Sequence, residues 1–189
     1  MENAISTIQV GNKTVKTFYD NGDFNPRVDC DNLGVIYSNS RRFNPDRKYL
    51  EDLIEAAGAE PLTDVVPWAT IAKKFIYLKI WIYDHSGIAL RCGDSNPFTC
   101  PYDSGLAGVI AVSKAAVRKE YSCKGGRISP KVRETVEKVL AAEIEELEHY
   151  ENGEVYRYEV TDENGEVIES CGGYIDEEEA LNDGKLVAA

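Results

Sequence analysis

One of only two histidines in the 189 residues, His85, stands in the turn-forming stretch Asp84-His85-Ser86-Gly87, shortly before a segment holding Asp94, Ser95, Cys100, Asp103 and Ser104. A hydrolase needs a nucleophile, a base that titrates near neutrality and a group that orients the base. Pairing His85 with Cys100 or Ser104 would supply those residue types. The spacing assigns no roles, however: there is no G-x-S-x-G elbow, and Asp84, adjacent to His85, points elsewhere on a strand or turn. Asp, Ser and Gly are also ordinary turn formers. The residues lean against an enzyme, and no catalytic residue is assigned. The phosphate-cradling G-x-x-x-x-G-K-[ST], a G-x-G-x-x-G after a strand and the zinc-binding H-E-x-x-H are absent from the sequence.

The five cysteines, Cys30, Cys92, Cys100, Cys123 and Cys171, are odd in number and include no C-x-x-C pair. They read as reduced, mostly buried thiols. Thiolate ligands can converge from distant positions, which leaves a set of Cys92, Cys100 and Cys123 open, but nothing in the spacing requires it. No metal and no cofactor is expected. The stretch from Gly93 to Gly105 is long for a hairpin connection, and such loops are often functional or mobile. Phe98 and Tyr102 would be its interface anchors, or would pack down on the sheet. His149 reads as a surface residue.

Charge is the strongest signal. The chain has 33 acidic and 21 basic residues, a net of −12, which argues against direct, sequence-independent phosphate binding. From Glu143 to Ala189 sixteen acids face two bases, whereas Lys114 to Arg133 holds seven bases and one acid. Glu143, Glu145, Glu146, Glu148 and Glu151 crowd the C-terminal end of a long helical pattern, against the helix dipole, at a cost of a few tenths to about 1 kcal/mol each. With Asp162, Glu163 and Glu166 on the following hairpin they form a candidate negative face. A helix rises about 1.5 Å per residue and duplex DNA carries one phosphate per roughly 1.7 Å, so a dense carboxylate face can imitate its charge density. An acidic protein also keeps itself in solution with such a face. The partner-binding residues of the first reading are Glu143, Glu146, Asp162, Glu163 and Glu166. A second reading joins His85, Cys100, Asp103, Lys114, Arg118 and Lys119 into a site for a small molecule, a signalling nucleotide.

These residues must be positioned by an α+β fold: an antiparallel sheet built from hairpins, packed against one long and two or three short helices. Ile5 to Val10 and Thr14 to Tyr19 flank Gly11-Asn12 as a first hairpin. Val35-Ile36-Tyr37 is a short strand. Asn44-Pro45 reads as a cap and first turn for a helix running through Leu53 and Ile54 to Gly58. Phe75 to Tyr83 is a central strand, returned by Ile88 to Cys92, and Leu106 to Val112 is another. Ser113 caps a short helix. Ser129-Pro130 opens the longest helix, ended by Asn152-Gly153. Val155 to Val160 and Val167 to Cys171 flank a turn in which Asn164-Gly165 takes positive φ at both central positions, and Asp176 caps a last helix. The length and the lack of a linker suggest one domain over 1–189, with an N-terminal hairpin and helix (1–60), a central sheet (70–113) and a long helix with the acidic hairpin (129–175). The opening MENAISTIQV lacks the segments of a signal peptide, and Leu106 to Val112 is far short of the ~20 residues of a membrane span, which predicts a cytosolic protein.

The blocks Trp81 to Ile88, Pro97 to Gly105 and Val109 to Lys114, with Tyr156-Arg157-Tyr158 and Ser170-Cys171-Gly172-Gly173-Tyr174, resemble a family of small proteins of unassigned function from tailed bacteriophages and mobile elements. The likeness covers about residues 75–175 and implies no catalytic residues. It implies a context: an accessory protein in the cytosol of a bacterial host, acting against host defence. The leading expectation is a non-enzymatic inhibitor, of anti-CRISPR or antirestriction type, that binds a host nucleic-acid-binding defence protein with a basic surface, without nucleic acid or membrane. Homo-oligomerisation through exposed hairpin edges stays open.

Overall fold

The computed structural model describes residues 3–60 and 65–189. Two four-stranded antiparallel sheets and six α-helices make up these residues, an α+β fold. Where the sequence suggests one sheet in one domain, the chain divides into two compact units: Met1–Cys30 with His149–Ala189, and Asp31–Glu148. The second is thus an insertion in the first. Its pairing partners lie too far apart in sequence for local patterns to reveal the division.

The first unit holds β1 (Ser6–Val10), β2 (Lys13–Tyr19), the single-turn α1 (Pro26–Asp29), β7 (Tyr156–Thr161), β8 (Val167–Tyr174) and α6 (Glu177–Ala188), with strand order β1-β2-β7-β8. The sheet is closed by β2 pairing with β7, Val15 opposite Val160 and Thr17 opposite Tyr158. Along α6 the buried residues Ala180, Gly184 and Ala188 recur every fourth position, a ridge of small side chains that lets the helix lie close on the strands. The approach is tightest at Gly184, where a Cβ would fall 2.6 Å from Val15 Cγ1. The Asp176 carboxylate accepts from the Glu178 N–H at 2.9 Å, and Glu177, Glu178 and Glu179 fill the first turn, where acids suit the helix dipole. Replacing Asp176 with alanine should lower stability by about 1 kcal/mol, seen as a lower urea midpoint at unchanged slope; an unmoved midpoint would assign the cap no net role.

The β7–β8 connection is not the two-residue Asn-Gly turn expected. The Gly165 N–H donates to Asp162 O at 3.1 Å and the Asp162 N–H to Glu166 O at 2.9 Å, and only Gly165, at φ 81°, is left-handed there. This is a tight turn followed by a glycine bulge. The Asp162 carboxylate holds it, accepting from the N–H groups of Asn164 and Glu166 at 2.8 and 2.9 Å.

The second unit holds β3 (Val35–Tyr37), α2 (Leu50–Ala56), α3 (Trp68–Lys74), β4 (Phe75–Asp84), β5 (Ile88–Cys92), β6 (Ser104–Ser113), α4 (Lys114–Glu120) and most of α5 (Pro130–Glu151), with strand order β3-β6-β4-β5. Alternation along β6 sends successive side chains to opposite faces. Val109 and Ala111 join Leu53, Ile54, Ala57, Ile71 and Phe75 from α2, α3 and β4, while Ile110 meets Leu140 of α5 over Gly34. The sheet is therefore a layer between helices. α2 starts at Leu50, not at Asn44-Pro45: the Tyr49 N–H is capped by Asp52 Oδ2 at 2.7 Å. Asn44 instead builds the preceding turn, its Oδ1 accepting from the Lys48 N–H at 3.1 Å, with Arg47 at φ 53°. Ser113 caps α4 as expected, accepting from the Ala116 N–H at 3.1 Å. Among the described residues no helix is long and apolar enough to cross a membrane.

Candidate functional site

His85, Cys100 and Asp103 do come together, at the end of the second sheet where Tyr83 of β4 pairs with Ser104 of β6. The Cys100 thiol donates to Asp103 Oδ2 at 3.2 Å, and His85 Nδ1 lies 3.9 Å from the same oxygen. The order is wrong for a nucleophile. In a thiol–imidazole pair the base must touch the sulfur, whereas here a carboxylate stands between them. Ser104 is committed too, its hydroxyl donating to Cys100 O and accepting from Asn96 Nδ2. Asp84 pairs with Arg42 at 2.7 Å. The loop is braced on the sheet, with Trp81 Nε1 donating to Gly93 O at 2.9 Å and the Phe98 ring 5.7 Å from Tyr83. Phe98 packs down, while Tyr102 is 94% exposed.

Cys30 and Cys171 are exposed and Cys92, Cys100 and Cys123 half-buried, so the expectation of mostly buried thiols is corrected. Cys30 follows the single turn of α1, and Cys171 lies on the edge strand β8. Burial pushes the Cys92 thiol up to about 11, the reverse of activation. Among the described residues no three His, Cys, Asp or Glu side chains converge as a metal site.

Lys114, Arg118 and Lys119 stand far from His85 and Cys100. They follow the opposite end of β6, where Ser113 pairs with Phe75, and ten strand residues separate the two ends by about 30 Å. The six residues of the small-molecule reading are thus two groups. The cationic group borders a cavity of about 270 Å³ lined by Lys73, Lys74, Phe75, Ser113, Lys114 and Arg118, among others. Lys119 is exposed and outside this lining. Sequence reasoning missed Lys73 and Lys74, whose signal is two lysines at a helix–strand junction that the β4–β6 register sets beside Lys114.

The acidic residues also divide. Glu143 is buried, its carboxylate accepting from the Leu33 N–H at 2.7 Å and the Gly34 N–H at 3.1 Å. It is an internal anchor and not part of an outward face. Glu148 faces β5, accepting from the Leu90 N–H and pairing with Arg91 at 2.6 Å. Glu146 is half-buried. Asp162 organises its turn as described, and the Glu166 N–H, with weaker help from Asn164 and Gly165, holds its carboxyl below the usual range. Glu163, Glu166 and Glu169 are exposed around β8, whose residues from Val167 to Gly172 are all exposed. The charge follows the units: the first carries sixteen acids against five bases, net −11, and the second seventeen against sixteen, net −1.

The fold and these groups define an α+β protein of two antiparallel sheets, one unit strongly anionic and the other nearly neutral with a cationic cavity. Comparison with protein-family models, curated proteins and solved structures finds no match for the chain.

Proposed function

We propose that the protein is a non-enzymatic, phage-type accessory protein that inhibits a host nucleic-acid-binding defence protein, a CRISPR effector or restriction nuclease, by docking on its basic surface. The concentration of charge in one structural unit, −11 against −1 in the other, carries the reading. A surface evolved only for hydration needs no such partition, whereas a surface that competes with nucleic acid needs dense negative charge in one place. The contact element is the β7–β8 hairpin with the start of α6. Glu163 and Glu166 lie in the exposed turn that leads into β8 and Glu169 on the exposed strand itself, and Val167 and Ile168, 56% and 49% exposed, give the hairpin apolar contact area. With Glu143 buried and Glu148 paired, charge mimicry by the long helix is replaced by mimicry on this hairpin.

The test is plating of a targeted phage on bacteria that carry a defence system and express the chain, paired with inhibition of the purified nuclease. Reversing Glu163, Glu166 and Glu169 to Lys together should weaken inhibition about tenfold or more at low salt, and the difference should shrink as salt screens it. Inhibition unchanged by the triple reversal sinks the reading.

A further inference from the structure

We propose that the cavity at the junctions of α3 with β4 and of β6 with α4 binds a diphosphate group, free or carried by a nucleotide, through Lys73, Lys74, Lys114 and Arg118. The antiparallel pairing of Phe75 with Ser113 brings the last turn of α3 and the first turns of α4 to one end of the sheet, so two cations arrive from each side. The cavity, about 270 Å³, suits a small anion and not a drug-sized ligand.

Four other cations of this unit are matched. Arg42 pairs with Asp84, Arg91 with Glu148, Arg133 with Glu137 and Lys138 with Glu134. Among the described residues, none of the four cavity cations lies within 4.0 Å of a carboxylate in any ion pair found. Two are held in place by carbonyl oxygens instead: Lys114 Nζ donates to Ala72 O and Arg118 Nε to Gly126 O, each at 2.6 Å. Burial, followed by the nearby Arg133 and Arg118, holds Lys114 below the ordinary lysine range. Like charges gathered without counter-charge raise the energy of the empty cavity, and an anion relieves it.

The chemistry of the lining narrows the ligand. Four cations match the charge of a diphosphate better than that of a single phosphate, and Arg118 can offer paired donors to phosphoryl oxygens. Phe75 is 9% exposed and belongs to the apolar cluster of α2 and α3, so its ring is not free to stack on a base. Recognition is therefore of the phosphoryl groups. This proposal concerns the second unit and is independent of the docking surface on the first.

The test is calorimetric titration of the whole protein with inorganic pyrophosphate, ADP, GDP and a short DNA duplex at low salt. Saturable binding of pyrophosphate, with ADP and GDP equal to each other, is expected. Pyrophosphate binding tighter than both assigns the free anion as the source, and the reverse assigns a nucleotide. Lys74→Gln with Arg118→Gln should weaken binding about tenfold or more, while Lys119→Gln should leave it unchanged. A melting temperature equal to that of the unsubstituted protein shows that the double variant is folded, and Lys73→Gln with Arg118→Gln replaces it if it is not. No saturable pyrophosphate binding, a double variant with unchanged affinity, a strong preference between ADP and GDP, or binding of duplex alone overturns the proposal.

Discussion

Replacing Glu143 with alanine should remove about 3 kcal/mol of stability, because it deletes the acceptor for the buried Gly34 N–H and the half-buried Leu33 N–H together. The carboxylate spans the Leu33 and Gly34 amides, with Gly34 reached by both oxygens at 3.1 and 3.2 Å. It ties the segment leading into β3 to the middle of α5. Truncation leaves the two donors in place and removes their partner, the costly case. Glu143→Gln keeps one acceptor oxygen and should lose roughly half as much, the charge-assisted part of the bonds being about as large as the rest. Urea unfolding followed by tryptophan fluorescence is well placed to see this, since Trp68 and Trp81 both lie in the affected unit. Hydrogen exchange at the Leu33 and Gly34 amides should quicken first. A loss under about 1 kcal/mol would mean that the helix and the strand entry part without cost. Because Glu143 does not face outward, the same variant should keep the docking proposed for the β7–β8 hairpin, whereas the reversals of Glu163, Glu166 and Glu169 should weaken that docking and leave stability nearly unchanged.

Glu143 also shows where sequence reading was strong and where it failed. Val136, Leu140, Glu143 and Leu147 are spaced four, three and four apart, and all are buried, so the apolar stripe of α5 runs directly through the glutamate. Charge summed along the chain includes Glu143, and only position around the helix shows that it turns inward. Hairpins, the central strand and the Ser113 and Asp176 caps were legible because each rests on neighbours within a few residues. The start of α2 was not, because Asn44 is as good a turn former as a helix cap. The two-unit division depends on Thr14 pairing with Thr161, and the cationic cavity on Phe75 pairing with Ser113. Pairings over such separations leave no local mark. The same limit hid the separation of His85 and Cys100 from Lys114: proximity on either side of β6 in sequence concealed the length of the strand between them.

Gly108→Ala should cost about 2–3 kcal/mol, through a clash that side chains cannot relieve. β6 is irregular here: Ile80 pairs with Gly108 and Trp81 with Leu106, so Ala107 is the extra residue of a bulge. On its other side Gly108 lies beneath the end of β3. A Cβ would overlap the Tyr37 carbonyl oxygen and lie 3.0 and 3.1 Å from Ser38 Cβ and Cα. Backbone atoms give way only by moving the strand, and β3 has three residues with which to resist. Its displacement would also break the hydrogen bond from Ser38 Oγ to Ala107 O, exposing a buried hydroxyl's partner to an empty space. Exchange at the amides of Val35 and Tyr37 should accelerate more than at the β4–β5 amides, and the urea midpoint should fall. Gly105→Ala, on the same strand, is the control. It meets nothing within 4 Å, so its effect should stay within about 0.5 kcal/mol. Equal losses for the two variants would remove close approach at Gly108 as their cause, since the lower unfolded-state entropy of alanine stabilises both.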